Sequence, residues 1–329
     1  MPKIKKYKNI KGNKCLISKK HNLLITASKK NISFYNLENM ELKTSFKIKG
    51  SSKMILSSYE EKLFYLDDNK KIGIIDIQSL AIIKEFDVIP EYFDVYEDVK
   101  IENIFFYDEF NILIVVKTHD IYFICNINID SEKISILDEI KNENFFSECF
   151  FYKDHCLYLI DCFEHYENLE SIDDTYFSFK NCIATKTKKV NLQDDEIKIN
   201  YLQVIDSNCP TSIGIFYINP EDDILIIDGD YELLFASFSN FLFLSRFRLQ
   251  YETKYYMVNR FYDKNYKKYV IIFQEQIKIF DLYDLNNITS YEIKIDYEDD
   301  IEDAVFLNEK ELFIIGNCYS AIIKLDLYR

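Results

Sequence analysis

Short apolar bursts alternate with short polar breaks along the whole chain, and the bursts come in pairs that close on Asp or Asn. Leu23-Leu24-Ile25-Thr26 is followed, after a break, by Ile32-Ser33-Phe34-Tyr35-Asn36. The same unit returns as Leu63-Phe64-Tyr65-Leu66 and Ile72-Gly73-Ile74-Ile75-Asp76, and as Tyr269-Val270-Ile271-Ile272-Phe273 and Ile277-Lys278-Ile279-Phe280-Asp281. A last copy reads Leu312-Phe313-Ile314-Ile315 and Ile322-Ile323-Lys324-Leu325-Asp326. Each burst has the length of a strand, and no helical periodicity persists for three turns between caps.

Short strands recurring with a period of roughly 40–50 residues predict an all-β chain folded as a β-propeller. The spacing divides the chain into seven four-stranded blades, with strands a to d running outward from the axis. The blades cover about residues 12–48, 53–86, 99–137, 145–205, 213–249, 255–295 and 301–329. Blade 4 carries an insertion, and Asn142–Phe150 reads equally as a turn of helix or a strand. Blade 7 runs out after its third strand, while residues 3–9 supply a spare strand ahead of blade 1. Pairing the two closes the ring and removes exposed sheet edges. No Pro/Gly/Ser-rich linker interrupts the chain, so residues 1–329 read as a single domain.

The segment Ile218-Asn219-Pro220-Glu221-Asp222-Asp223-Ile224 looks like the turn between the first two strands of a WD40 blade. Asn36, Asp76, Asp281 and Asp326 follow strand c, where that family places the Asp of its Trp-Asp dipeptide. In this layout the chain resembles the WD40-like superfamily, although it has no Trp and no blade opens on Gly-His. The resemblance implies a non-catalytic scaffold or adaptor within a larger complex, an expectation that rests on analogy of fold.

Composition adds constraints. The chain has a net charge of −15 and a pI near 4.9. With 6 Gly and 4 Pro for so many turns, Asn, Asp and Lys have to supply the turn conformations. Most of the eight cysteines lie in apolar bursts and none forms a CxxC pair, which reads as reduced thiols in an intracellular protein, cytoplasmic or nuclear. The N-terminus shows no apolar signal core, and no run reaches the ~18 apolar residues of a membrane span.

Catalytic signatures are missing: there is no GxSxG, GxxxxGK[ST], HExxH or GxGxxG. His155, Cys156, Cys162 and His165 carry zinc-type donors, but Cys156 and Cys162 stand about 20 Å apart on one strand. Asp228-Gly229-Asp230 has the look of a calcium loop without its ligand spacing and reads as a hairpin turn. We therefore expect no enzyme activity, no metal and no cofactor.

Acidic and aromatic residues collect in connections that a propeller places on one face, here called the top. Tyr92, Phe93 and Tyr96 lie in one d–a connection, and Tyr297, Asp299 and Asp300 in another, with Glu302-Asp303 extending the acidic run. Tyr166, Asp173 and Asp174 fall in the insertion Glu164–Tyr176, read as a b–c loop. Aromatic anchors ringed by carboxylates fit a basic peptide or subunit, which the negative field would steer to this face. Nucleic-acid binding by the body is disfavoured, because carboxylates outnumber Lys and Arg 55 to 40. The exception is the N-terminal run Lys3, Lys5, Lys6 and Lys8, whose alternate side chains would face solvent and could contact RNA within a larger particle.

Overall fold

The computed structural model describes residues 3–49, 53–88, 93, 99–119, 121–141, 148–153, 156–167, 180–191, 197–205, 213–219, 223–229, 232–237, 243–248, 257–263, 266–273, 276–281, 284–292, 301–318 and 320–325. Among these residues there is no α-helix, and the strands form seven four-stranded sheets.

Strand β1 (Lys3–Tyr7) is followed by sheet I: β2 (Lys14–Ser18), β3 (Leu23–Ala27), β4 (Asn31–Asn36) and β5 (Leu42–Lys47). Sheet II holds β6 (Lys53–Leu56), β7 (Lys62–Leu66), β8 (Lys71–Asp76) and β9 (Ala81–Asp87). Sheet III holds β10 (Lys100–Phe106), β11 (Asn111–Lys117), β12 (Ile121–Asn128) and β13 (Ile134–Lys141). Sheet IV holds β14 (Glu148–Lys153), β15 (Cys156–Glu167), β16 (Lys180–Asn191) and β17 (Ile197–Ile205). Sheet V holds β18 (Ile213–Asn219), β19 (Ile224–Gly229), β20 (Glu232–Ser237) and β21 (Phe243–Arg248). Sheet VI holds β22 (Met257–Asp263), β23 (Lys268–Phe273), β24 (Gln276–Asp281) and β25 (Asp284–Glu292). Sheet VII is built from β26 (Ile301–Asn308), β27 (Glu311–Gly316), β28 (Ser320–Lys324) and β1.

The pairing of β1 with β28 runs antiparallel from Lys3↔Lys324 to Tyr7↔Ser320, so the spare N-terminal strand does complete the last sheet. The described part of residues 142–150 is strand. One boundary shifts: β15 continues to Glu167, with Tyr166 paired to Asn181, so residues 164–167 are ladder. The reason is the unbroken twelve-residue ladder with β16, which satisfies the backbone of residues that a polar composition reads as loop.

At Asn36, Asp76 and Asn128 the side chain that closes the third strand has a local role. Asn36 Oδ1 accepts the amide of Glu38 at 2.9 Å, Asp76 Oδ1 accepts that of Ser79 at 2.7 Å, and Asn128 Oδ1 accepts that of Ser131 at 2.9 Å. These side chains cap the c–d turns, as Asx residues do. Four residues later each turn passes through the left-handed region, at Met40, Leu80 and Glu132. The a–b turns do the same at Asn22, Glu60, Asp223 and Lys267, and one b–c turn at Lys70. Non-glycine residues therefore carry the positive φ that the shortage of glycine demands.

Two irregularities also repeat. The a–b pairing slips between Ile101 and Asn103, Ile215 and Tyr217, Met257 and Asn259, and Ile301 and Asp303. The c–d pairing slips between Phe34 and Tyr35, Ile74 and Ile75, Phe235 and Ala236, and Phe280 and Asp281. Such bulges raise the local twist of a sheet.

The chain divides into two compact units. Unit 1 (Met1–His119, Phe123–Asp138 and Thr253–Arg329) contains sheets VI, VII, I and II and most of sheet III. Its core lies between successive sheets. Ile272, Ile279, Ile314 and Ile323 fill the junction of VI and VII, Ile17, Tyr35, Phe313 and Ile322 that of VII and I, and Ile25, Phe34, Leu63 and Ile75 that of I and II. Unit 2 (Asp120–Tyr122 and Glu139–Glu252) contains sheets IV and V, with β18 packed on β14 and β15.

Polar bonds pin these junctions of unit 1 and also that of II and III. The Asp263 carboxylate accepts the Phe306 amide at 3.0 Å, and the Asp303 carboxylate accepts the Cys15 amide at 2.9 Å. Glu60 accepts both the Ser18 hydroxyl and the Lys20 amide at 2.9 Å. The Lys53 ammonium donates to the carbonyls of Ile101 and Glu102, and burial pulls it below its usual pKa while Glu102 opposes the shift.

Candidate interaction surface

The expected top-face site is only partly within the described residues. Tyr92, Tyr96, Asp173, Asp174, Tyr297, Asp299 and Asp300 lie outside them. Tyr166 sits near the end of β15. Phe93 is described and is a correction: it is 1 % exposed and meets Phe123 edge-on at a centroid distance of 5.1 Å. A ring of that size gains more from burial among apolar neighbours than from presentation to water. It is a core residue and offers no anchor.

Asp303 follows the acidic run in sequence but belongs to blade 7, where it is 7 % exposed, bonded to the Cys15 amide and paired with Lys14 Nζ at 3.2 Å. The slip beside Glu302 gives a reason: two residues of β26, Glu302 and Asp303, span one step of β27, which changes how Asp303 faces the sheet.

The basic N-terminal run lies on or beside β1. Lys3, Lys5 and Lys6 belong to the strand and Lys8 follows it. The expected alternation is replaced by exposure of Ile4, Lys5 and Lys6 alike, because β1 is the outermost strand of its sheet.

Beside β1 two adjoining clefts open, sharing Asn9 and Tyr35 in their walls. The first, of ≈ 530 Å³, is lined by Lys11, Lys29 and Lys30 together with Asn9, Asn31, Asn317, Ser28 and Ser33. No carboxylate lines it, and among the described residues none pairs with these three lysines. Lys29 and Lys30 sit in the β3–β4 turn, which the Ser28 side chain locks by accepting the Asn31 amide at 3.1 Å. Gly12 also lines this cleft. Its amide reaches the Gly316 carbonyl at 3.1 Å, and a Cβ there would stand 2.2 Å from the Ala27 carbonyl oxygen. Only glycine lets the chain pass so closely between sheets VII and I. The second cleft, of ≈ 550 Å³, is lined by Tyr7, Ile10, Met40 and Leu42 with Lys6, Lys8 and Glu41.

The a–b turns of sheets II and III present Tyr59 and Phe110 at 67 % and 54 % exposure. Neither belongs to the long acidic connections. Their signal was an aromatic at the tip of a hairpin that needed only polar residues.

Among the described residues no group of three or more metal-ligating side chains converges. Cys156 and Cys162 stay on the single uninterrupted strand β15. No helix among them is long and apolar enough to cross a membrane.

No family model and no curated protein matches the sequence. Solved structures do match in fold. The Cps50 (Swd1) β-propeller domain of Myceliophteria thermophila is 8 % identical, with 98 % of this chain and 99 % of that one covered and a TM-score of 0.66. U3-55K is 11 % identical over 98 % of both chains, with a TM-score of 0.61. A chain of a Mitotic Checkpoint Complex is 8 % identical over 98 % of this chain and 90 % of that one, with a TM-score of 0.59. The fold is that of a β-propeller, reached with little sequence in common.

Proposed function

We propose that this protein is a non-catalytic scaffold or adaptor subunit of a larger intracellular complex. The observation that carries the reading is the likeness, over 98 % of the chain, to a propeller solved within a Mitotic Checkpoint Complex. Four-stranded sheets joined by connections of differing length suit such a role, since loops between regular elements are where recognition residues concentrate. The partner in this reading is a basic peptide or subunit bound at the acidic, aromatic connections. Tyr92, Tyr96, Tyr166 and Tyr297 act as anchors, and Asp173, Asp174, Asp299 and Asp300 supply charge. Phe93 is left out because it is buried.

Purification from the native source at gentle salt, followed by mass spectrometry, tests the scaffold role. A stoichiometric protein partner is expected, and a lone monomer would overturn it. Combined Tyr92→Ala, Tyr96→Ala and Tyr166→Ala should reduce recovery of that partner with an unchanged thermal melt. Unchanged recovery would move the site elsewhere. Metal analysis of the purified protein should find no stoichiometric zinc or calcium.

A second reading has one observation in its favour: Lys5, Lys6 and Lys8 are exposed on and beside β1. In it these residues, with Lys3, contact RNA within a larger particle. Combined Lys5→Glu, Lys6→Glu and Lys8→Glu keeps the strand in place and should abolish salt-sensitive RNA retention.

A further inference from the structure

We infer that the paired clefts beside β1 form one binding groove for a short acidic peptide segment of a protein partner, with its carboxylates on the lysines and an adjacent bulky apolar side chain on Leu42 and Met40. The inference stands apart from the acidic connections, whose partner carries the opposite charge.

Three observations lead to it. In a chain of net charge −15, Lys11, Lys29 and Lys30 converge on a cleft that no carboxylate lines. All three lysines are exposed, and among the described residues none has an acidic partner. The same cleft adds neutral hydrogen-bonding groups from Asn9, Asn31 and Asn317, which can complete the solvation of a carboxylate. The adjoining cleft changes character. Leu42 is 56 % exposed at its rim and Met40 lies deeper, so an apolar foothold continues directly from the charged one.

This sequence of chemistries separates a peptide from a nucleic acid. Single-stranded nucleic acid takes aromatic platforms for its bases in addition to cations for its phosphates. Here Tyr35 is only 7 % exposed, and Lys5 Nζ lies over the Tyr7 ring at 4.9 Å from its centroid, so neither offers a free face for stacking. The net negative field of the chain also opposes a long polyanion more than a short one.

The test uses the full chain and three labelled probes. These are a decapeptide with four consecutive aspartates followed by Leu-Phe, the same peptide with lysine for aspartate, and a single-stranded RNA decamer. The acidic peptide should bind, weaken as salt rises, and lose about tenfold in affinity when Lys29→Glu and Lys30→Glu are combined. Leu42→Ser should cost several-fold with little change in salt dependence. Circular dichroism melts identify any variant that misfolds, and Lys11→Glu alone then replaces it. Equal binding of the acidic and basic peptides, or an acidic peptide indifferent to both sets of substitutions, would overturn the inference. RNA that binds more tightly than the acidic peptide and is lost on Lys29→Glu and Lys30→Glu would replace it with a nucleic-acid site.

Discussion

The carboxylate of Asp303 accepts a hydrogen bond from the backbone amide of Cys15 at 2.9 Å, joining residues 288 positions apart. The bond ties the first strand of sheet VII to the first strand of sheet I, and Lys14 Nζ sits 3.2 Å from the same oxygen. Both ends of the bond are buried, so its loss cannot be made good by water. Asp303→Ala should destabilise unit 1 by about 1–3 kcal/mol, since it leaves the Cys15 amide without an acceptor. Asp303→Asn keeps an acceptor oxygen and should cost less. Urea midpoints of the two variants, compared with the parent, check the order.

Tyr65, Gly73 and Glu85 lie in register across three strands of sheet II, and the tyrosine hydroxyl donates to the Glu85 carboxylate over the glycine. A Cβ on Gly73 would stand 1.9 Å from the tyrosine ring. Gly73→Ala should therefore cost about 1–3 kcal/mol through overpacking. The cost should fall in a Tyr65→Leu background, which removes the ring. A double-mutant cycle on urea midpoints measures that coupling.

Burial and the Glu85 bond push the Tyr65 hydroxyl above the usual tyrosine range, and burial does the same at Tyr269. A raised folded value means that the native state holds its proton more tightly than the unfolded chain. The associated stability is complete below about pH 10, where the unfolded tyrosine ionises, and is lost as pH rises beyond it. Stability should fall progressively over the interval from about pH 10 upward, with tyrosinate absorbance appearing together with unfolding. Tyr65→Phe should be less stable than the parent at neutral pH and lose less over that interval.

Lys70 is exposed and holds a φ of 62° in the β7–β8 turn. The left-handed conformation costs a non-glycine residue roughly 1–2 kcal/mol, part of which glycine returns as unfolded-state entropy. Lys70→Gly should raise stability by up to about 1 kcal/mol. A melt that falls instead would show that the lysine side chain has a role in the turn.

Burial pushes the Cys125 thiol up to about 12 and drives the Cys15 thiol upward as well, with Asp303 adding to it. Cys318 is exposed. Since the thiolate is the reactive form, a maleimide at neutral pH should label Cys318 rapidly while Cys15 and Cys125 stay protected until the protein unfolds. Peptide mapping after timed quenching reads the order.

Much of this architecture is local and hence legible in the chain. Reading the bursts places the strands of sheet II at Met54–Ser57, Leu63–Leu66, Ile72–Ile77 and Ala81–Phe86, and each lies within one residue of the observed strand at both ends. The Asp or Asn closing each pair is visible because an Asx turn needs only its own few residues, as at Asn36 and Asp76. Even the completion of sheet VII by β1 follows from counting strands, since a missing partner and a spare one leave a single economical pairing.

What depended on the tertiary structure was the fate of individual polar and aromatic side chains. Phe93 and Asp303 both stand in sequence contexts that look exposed, yet one is packed on Phe123 and the other is bonded to Cys15. Lys29 and Lys30 of the β3–β4 turn share one cleft with Lys11 beside Gly12, where the chain passes between Gly316 and Ala27. Strand formation is set by alternation and turn chemistry over a few residues, so the sequence by itself determined the strands and their grouping. Burial and convergence depend on which sheet packs against which, at separations that no local pattern encodes, and that was left to the tertiary structure.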